Sequence, residues 1–372
     1  PVDLAGDGRL DLSLGSHVES RIETFFQPQP WQFQASGPLP DPGFHPNGPL
    51  TLEGGDGGRY LVLNAETANA LRAYRGVAGS PALPVGDTPV PAPFKSLAVV
   101  WPEWGRTLAV TSKRGAEVRL LPGYDPAHPE VATPLTVKAT PKSHQRLTGL
   151  TQADFHGTGV PVLLVAIPRE GRVVALTPRA AGEVGVDTLW QLGPNSAPES
   201  LVPADINRDG RQDLIILGQM MKEVAVLLND GQGGFDQRLI PLGDPQRHVG
   251  FRAGAVTRDQ DGTLLLWASL EGYLGILRWP PAGAADPEPL LFKRVGRDPI
   301  RFATADLDGD GQQDLAMGSS VTSLPALVLF GPLAPHLEAF GAWLEAYGPP
   351  TVATQPTEWN LLEADREAKD KP

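Results

Sequence analysis

A short acidic loop recurs along the chain at nearly constant spacing, and no other feature restricts the fold so strongly. Its fullest copies are Asp205-Ile-Asn-Arg-Asp-Gly-Arg-Gln-Asp213 and Asp306-Leu-Asp-Gly-Asp-Gly-Gln-Gln-Asp314, with a third at Asp3-Leu-Ala-Gly-Asp-Gly-Arg-Leu-Asp11. Degenerate copies begin at 52, 100, 154 and 257. The first positions, 3, 52, 100, 154, 205, 257 and 306, are therefore separated by 49, 48, 54, 51, 52 and 49 residues. Each of the three fullest loops is followed by a short apolar run, Leu12–Leu14, Leu214–Leu217 or Leu315–Met317, which reads as a buried strand. An apolar stretch such as 301–305 precedes the loop, and a late turn such as Leu227-Leu-Asn-Asp-Gly-Gln-Gly-Gly-Phe235 supplies another strand pair. Four short strands per unit of about fifty residues are the content of a propeller blade.

The loops raise a charge problem. Asp306, Asp308, Asp310 and Asp314 are all ionised at neutral pH, and unit charges a few ångströms apart repel by roughly 1 kcal/mol even in water. Oxygen acceptors at alternate positions, a glycine that permits a sharp turn and a closing acid describe a cage for a hard cation, and calcium takes about 6–8 oxygens in flexible geometry. One aspartate would be explained by a tight turn, in which Asp commonly bonds to nearby backbone. Four in alternate register favour a metal. The helix-loop-helix calcium hand is excluded, because its twelfth position must be Glu, whereas Ile216 and Met317 stand there.

With these motifs in hand, the chain resembles the FG-GAP/VCBS repeats of calcium-binding β-propellers, a group related to the integrin α-subunit headpiece. The resemblance implies an all-β, seven-bladed β-propeller over residues 1–331, with four-stranded antiparallel blades and calcium held between the first two strands of a blade. It carries ligand roles onto Asp205, Asn207, Asp209 and Asp213, onto Asp306, Asp308, Asp310 and Asp314, and onto Asp3, Asp7 and Asp11. The seventh residues, Arg9, Arg211 and Gln312, would each add a main-chain carbonyl. Calcium is thus expected in two loops and in a third at 3, where Ala5 lacks a ligand atom.

Residues 332–372 differ from the repeats. Leu337, Phe340, Leu344 and Tyr347 fall on one face of a helix over 336–347. Residues 351–354 could form a strand that closes the ring, and a charged tail follows. The chain opens directly on a loop, which is expected of a mature or truncated start after removal of an export signal.

Composition limits the functions. A formal charge of −12 without a basic stripe disfavours nucleic acid as a partner. The absence of cysteine leaves no disulfide framework and no thiolate site. No apolar run approaches the roughly 18–20 residues of a membrane span. Seven histidines show no zinc-ligand spacing, and no nucleophile elbow, phosphate loop or dinucleotide fingerprint is present. The expectation is an exported, non-enzymatic propeller that binds a protein partner or a cell-envelope polymer, as a binding or scaffold subunit of a cell-envelope or extracellular assembly. The alternative is a propeller hydrolase or lyase acting on polysaccharide.

Overall fold

The computed structural model describes residues 3–16, 21–29, 32–43, 46–77, 80–141, 146–179, 182–193, 196–241, 250–258, 262–269, 273–281, 287–294, 300–307, 314–319 and 327–329. The chain builds antiparallel sheets in strict sequence order, each strand pairing with its predecessor. Five sheets, spanning 46–89, 93–138, 148–191, 198–241 and 251–294, have four strands; the first (12–38) and last (300–329) have three. Successive sheets meet through their first strands, Pro46–Glu53, Pro93–Trp101, Thr148–Ala153, Pro198–Ala204, Phe251–Arg258 and Ile300–Ala305, which form an inner circle. The fold is a β-propeller.

This corrects the expectation of seven four-stranded blades with a helical extension. Six sheets carry an inner strand. The first sheet starts at Leu12–Ser16, which follows its acidic loop and so takes the place of a second strand. Among the described residues the helical elements are short 3-10 turns, such as Pro129–Val131 and Pro168–Glu170. Residues 336–347 and 351–354 lie outside the described residues.

The fifth sheet shows why the repeat folds as it does. Its second strand, Asp213–Gly218, is buried throughout, as a strand covered on both faces must be, and its composition is correspondingly apolar. The third strand, Glu223–Asn229, is almost equally buried, whereas the outer Phe235–Pro241 is largely exposed. Between them, Asn229 faces Phe235 across a turn in which Gly231 and Gly233 adopt positive φ. Ile215, Ile216, Leu217, Val226 and Leu227 join Leu164, Leu265 and Trp267 of the two neighbouring sheets in one core. Fully burying such a side chain contributes about 1.5–3 kcal/mol, so the seams between blades hold the ring together. Trp101, Trp190, Trp267 and Trp279 are buried, in agreement with a packing role.

Ring closure uses a smaller seam. Leu12 and Leu307 are buried against each other with Leu10, Phe25, Phe33 and Ala305 around them, joining the first sheet to the last.

Candidate functional site

The acidic loops share one hydrogen-bonded skeleton. In each of three loops the first acid accepts backbone N–H groups from the residues four and five positions on. Asp205 takes those of Asp209 (2.9 Å) and Gly210 (3.0 Å), Asp3 those of Asp7 (3.0 Å) and Gly8 (3.0 Å), and Asp154 those of Thr158 (3.1 Å) and Gly159 (2.6 Å). The sixth-position glycine is left-handed in five loops, at Gly8, Gly57, Gly105, Gly159 and Gly210, a conformation that costs other residues. The repeat register read from sequence is therefore the structural register, and it extends to the degenerate loops at 52, 100 and 154.

The ninth-position acids sit beneath the loops. Asp213 is fully buried; its Oδ2 accepts the N–H of Ile206 (3.0 Å) and its Oδ1 that of Asn229 (2.8 Å). Asp11 repeats this with Leu4 (2.8 Å), Ala5 (3.0 Å) and Gln27 (3.0 Å), and Asp314 accepts from Leu307 at 2.6 Å. Asp11 and Asp213 each tie a loop to the hairpin below it. Burial pushes the Asp213 carboxyl up to about 6, against the pull of its Asn229 and Ile206 donors, with Asp209 and Asp205 adding to the rise. Burial likewise raises Asp11, against its Gln27, Ala5 and Leu4 donors.

The third and fifth positions complete the picture. Asn207 Oδ1 accepts the same Asp209 N–H (3.1 Å) that Asp205 does, so these two oxygens converge on one side of the loop. Asp209 Oδ1 accepts the N–H of Arg211 (2.9 Å), and Asp7 Oδ1 that of Arg9 (3.0 Å). The seventh residue does more than the carbonyl role expected of it. The Arg211 guanidinium pairs with Asp209 at 2.5 Å and donates to the carbonyl of Asn229 (2.8 Å); Arg9 pairs with Asp7 and donates to the carbonyl of Gln27 (2.7 Å).

Of the third full loop, Asp306 and Asp314 are described, while Asp308, Asp310 and Gln312 lie outside the described residues. The loops at 306 and 3 are neighbours across the closing seam; that at 205 is on a separate blade. Among the described residues no three His, Cys, Asp or Glu side chains converge as a metal-binding group. The oxygens that suit a hard cation at 205 are those of Asp205, Asn207 and Asp209, with the ninth acid oriented by backbone donors.

Two residues that sequence reasoning passed over hold blades together. The Asn229 amide donates to the carbonyls of Phe155 (2.7 Å) in the preceding blade and Gln212 (3.1 Å), and the Gln27 amide donates to the carbonyl of Leu307 (3.0 Å) in the last sheet. Both stand 24 positions after the start of their loop, and both reach the second residue of the loop before them. The closing seam therefore repeats the lock of an internal one. The shared offset from the loop is the signal that would have found them.

A surface groove of about 420 Å³ lies between the fourth and fifth sheets, lined by Leu192, Met220, Met221, Leu239, Lys222 and Glu223. It sits away from the acidic loops.

No protein family description matches the chain, and no curated protein matches it. Solved structures do. A Lactobacillus plantarum protein superposes with a TM-score of 0.62 at 14% identity, covering 86% of this chain and 91% of its own. The periplasmic gluconolactonase PpgL of Pseudomonas aeruginosa gives 0.56 at 17% identity, covering 85% and 95%. BBS1N, crystallised in complex with ARL6DN, gives 0.50 at 14%, covering 75% and 78%. Likeness at such identity establishes the propeller fold.

Proposed function

We propose that this chain is an exported propeller of the FG-GAP/VCBS type, stiffened by calcium, that serves as a binding or scaffold subunit for a protein or a cell-envelope polymer. The observation that carries this reading is where the acids are committed. Asp11, Asp213 and Asp314 are buried on backbone donors under three separate hairpins, so their role is architectural. Asp205, Asn207, Asp209 and Asp213 would hold one ion, Asp306, Asp308, Asp310 and Asp314 a second, and Asp3, Asp7 and Asp11 a third, with carbonyls from Arg211, Gln312 and Arg9. Bound calcium supplies positive charge and a cross-link between strands. The loop at 306 has four acids and no internal cation, whereas Arg9 and Arg211 already offset part of the charge in the other two. Loop 306 is accordingly the one that gains most from the metal. Export agrees with the abundance of calcium outside cells, where weak sites fill, and with the periplasmic origin of one structural neighbour. Among the described residues no helix is long and apolar enough to cross a membrane. BBS1N is a neighbour found in a protein complex, which supports a subunit role.

A hydrolase is the second reading, and the gluconolactonase neighbour favours it, since that enzyme matches 95% of its own length to this fold. Two measurements decide. Thermal unfolding with millimolar calcium and with excess chelator should show a higher midpoint with calcium; equal midpoints would remove the metal from the account. Incubation with sugar lactones and oligosaccharides should give no turnover above buffer. A turnover that saturates with substrate would replace the scaffold by an enzyme.

A further inference from the structure

The fifth and sixth positions of the fullest loops spell Asp-Gly, a pair with a chemistry of its own. The backbone nitrogen of the glycine attacks the aspartate Cγ, water leaves, and a succinimide ring closes. Water then reopens the ring. Opening at the main-chain carbonyl leaves the chain running through the side chain as isoaspartate. Water is lost and regained, so nothing is oxidised and the mass is unchanged. Glycine favours the attack because no Cβ crowds its nitrogen. Both residues are described in the pairs at 7–8, 56–57, 209–210 and 230–231.

Attack requires the glycine nitrogen to give up its proton and to swing toward Cγ. In the loops at 3 and 205 that nitrogen is held. The Gly8 N–H donates to Asp3 Oδ2 and the Gly210 N–H to Asp205 Oδ2, each at 3.0 Å. A carboxylate suits this task, because it accepts a charge-assisted bond and its negative charge opposes loss of the proton. The group under attack is fixed as well. Asp209 Oδ1 accepts the Arg211 N–H (2.9 Å), and its Oδ2 accepts the Asn207 amide (3.0 Å) and pairs with the Arg211 guanidinium. Asp7 Oδ1 accepts the Arg9 N–H (3.0 Å), and its Oδ2 pairs with the Arg9 guanidinium. The other two glycines donate to neutral oxygens, Gly57 to the Gly54 carbonyl (3.0 Å) and Gly231 to Asn229 Oδ1 (2.9 Å).

We infer that Asp7-Gly8 and Asp209-Gly210 are latent isoaspartate sites, and that the first acid of each loop, Asp3 or Asp205, is the guard that keeps them closed. This duty is separate from cation binding, so it goes beyond the calcium reading and stands whether or not a metal is bound. The two sites are unequal. The Asp7 side chain is 34% exposed, and Ala5 offers it no side-chain bond. The Asp209 side chain is 14% exposed, and Asn207 bonds both its N–H and its carboxylate. Asp7-Gly8 should therefore isomerise first. Each event inserts one carbon into the main chain inside the loop. The loop then has the wrong length for the ninth acid, Asp11 or Asp213, that anchors it from below.

The test incubates the full chain with chelator for several weeks at physiological temperature. Peptide mapping with electron-transfer fragmentation, which distinguishes the two isomers, gives the rate at each bond. The same chain unfolded in urea supplies the unguarded rate. Both bonds should isomerise at least about tenfold more slowly in the folded parent than in urea, with Asp7-Gly8 ahead of Asp209-Gly210, since a charge-assisted bond must first break. Asp205→Ala should raise the rate at Asp209-Gly210 by about tenfold and leave Asp7-Gly8 and Asp230-Gly231 at their parental rates. Asp3→Ala should do the converse. Circular dichroism checks that the variants are folded, and the comparison of folded with unfolded parent needs no variant. Equal rates in the folded and unfolded parent, or an unchanged rate at Asp209-Gly210 in Asp205→Ala, overturn the inference. Equal acceleration at Asp230-Gly231 overturns it too, because general loosening of the blade would then be the cause.

Discussion

Replacing Asn229 by alanine isolates the joint between two blades. The amide donates two hydrogen bonds, to the carbonyls of Phe155 and Gln212, and its oxygen accepts a third from the N–H of Gly231 at 2.9 Å. The side chain is only 3% exposed, so water does not replace these partners freely. At about 1 kcal/mol net for each bond, with the Phe155 carbonyl left short of a donor, the loss should reach roughly 3–4 kcal/mol. Gln27→Ala makes the internal comparison. It occupies the corresponding position at the closing seam, but among the described residues its amide makes one bond, to the Leu307 carbonyl, so its removal should cost about 1 kcal/mol. Urea unfolding followed by tryptophan fluorescence is suitable, because Trp190 and Trp267 belong to the core that includes the fifth sheet. Native-state hydrogen exchange at Gly231 and Ile206 reports the same joint locally. A midpoint for Asn229→Ala indistinguishable from the parent, or a greater loss for Gln27→Ala, would refute the idea that amide bridges lock neighbouring blades.

Two further outcomes follow from the geometry. In chelator, the Asp213 carboxyl has a folded value of about 6 against 3.8 in the unfolded chain, so its contribution to stability is fully present below 3.8 and is lost as pH rises through 6. The change is about 3 kcal/mol, and Asp213→Asn should flatten it in pH-dependent unfolding; calcium should flatten it as well, because a cation favours the charged form. Gly171→Ala should lose several kcal/mol or fail to fold, since Gly171 has φ of 62° and an added Cβ would stand 1.5 Å from the Gly193 carbonyl oxygen; expression level and thermal midpoint check it.

Much of the fold was legible because a repeat multiplies weak signals. One Gly after one Asp says little, but five sixth-position glycines in left-handed conformation follow the spacing read from the sequence. The buried second strands were visible as apolar runs for the same reason. Ring closure was not visible, because it depends on contact between residues some 280 positions apart, such as Gln27 and Leu307. Asn229 and Gln27 also escaped, since Gly76, Tyr124 and Pro178 occupy the same offset in other units and no pattern accumulates. The arginines were assigned to main-chain carbonyl roles; their guanidinium bridges depend on side-chain reach that spacing does not encode.

The closing seam has a mechanical consequence. Among the described residues the first and last sheets are joined by one amide bridge and a small apolar cluster, whereas each internal junction also has a continuous chain running across it. Tension applied between the two ends of the ring would therefore load this clasp directly and part it before any other seam, uncoiling the blades one after another from the gap. For a molecule anchored in a moving or swelling matrix, that sets where it yields first: at the clasp, with the large core shared by the fourth, fifth and sixth sheets still intact.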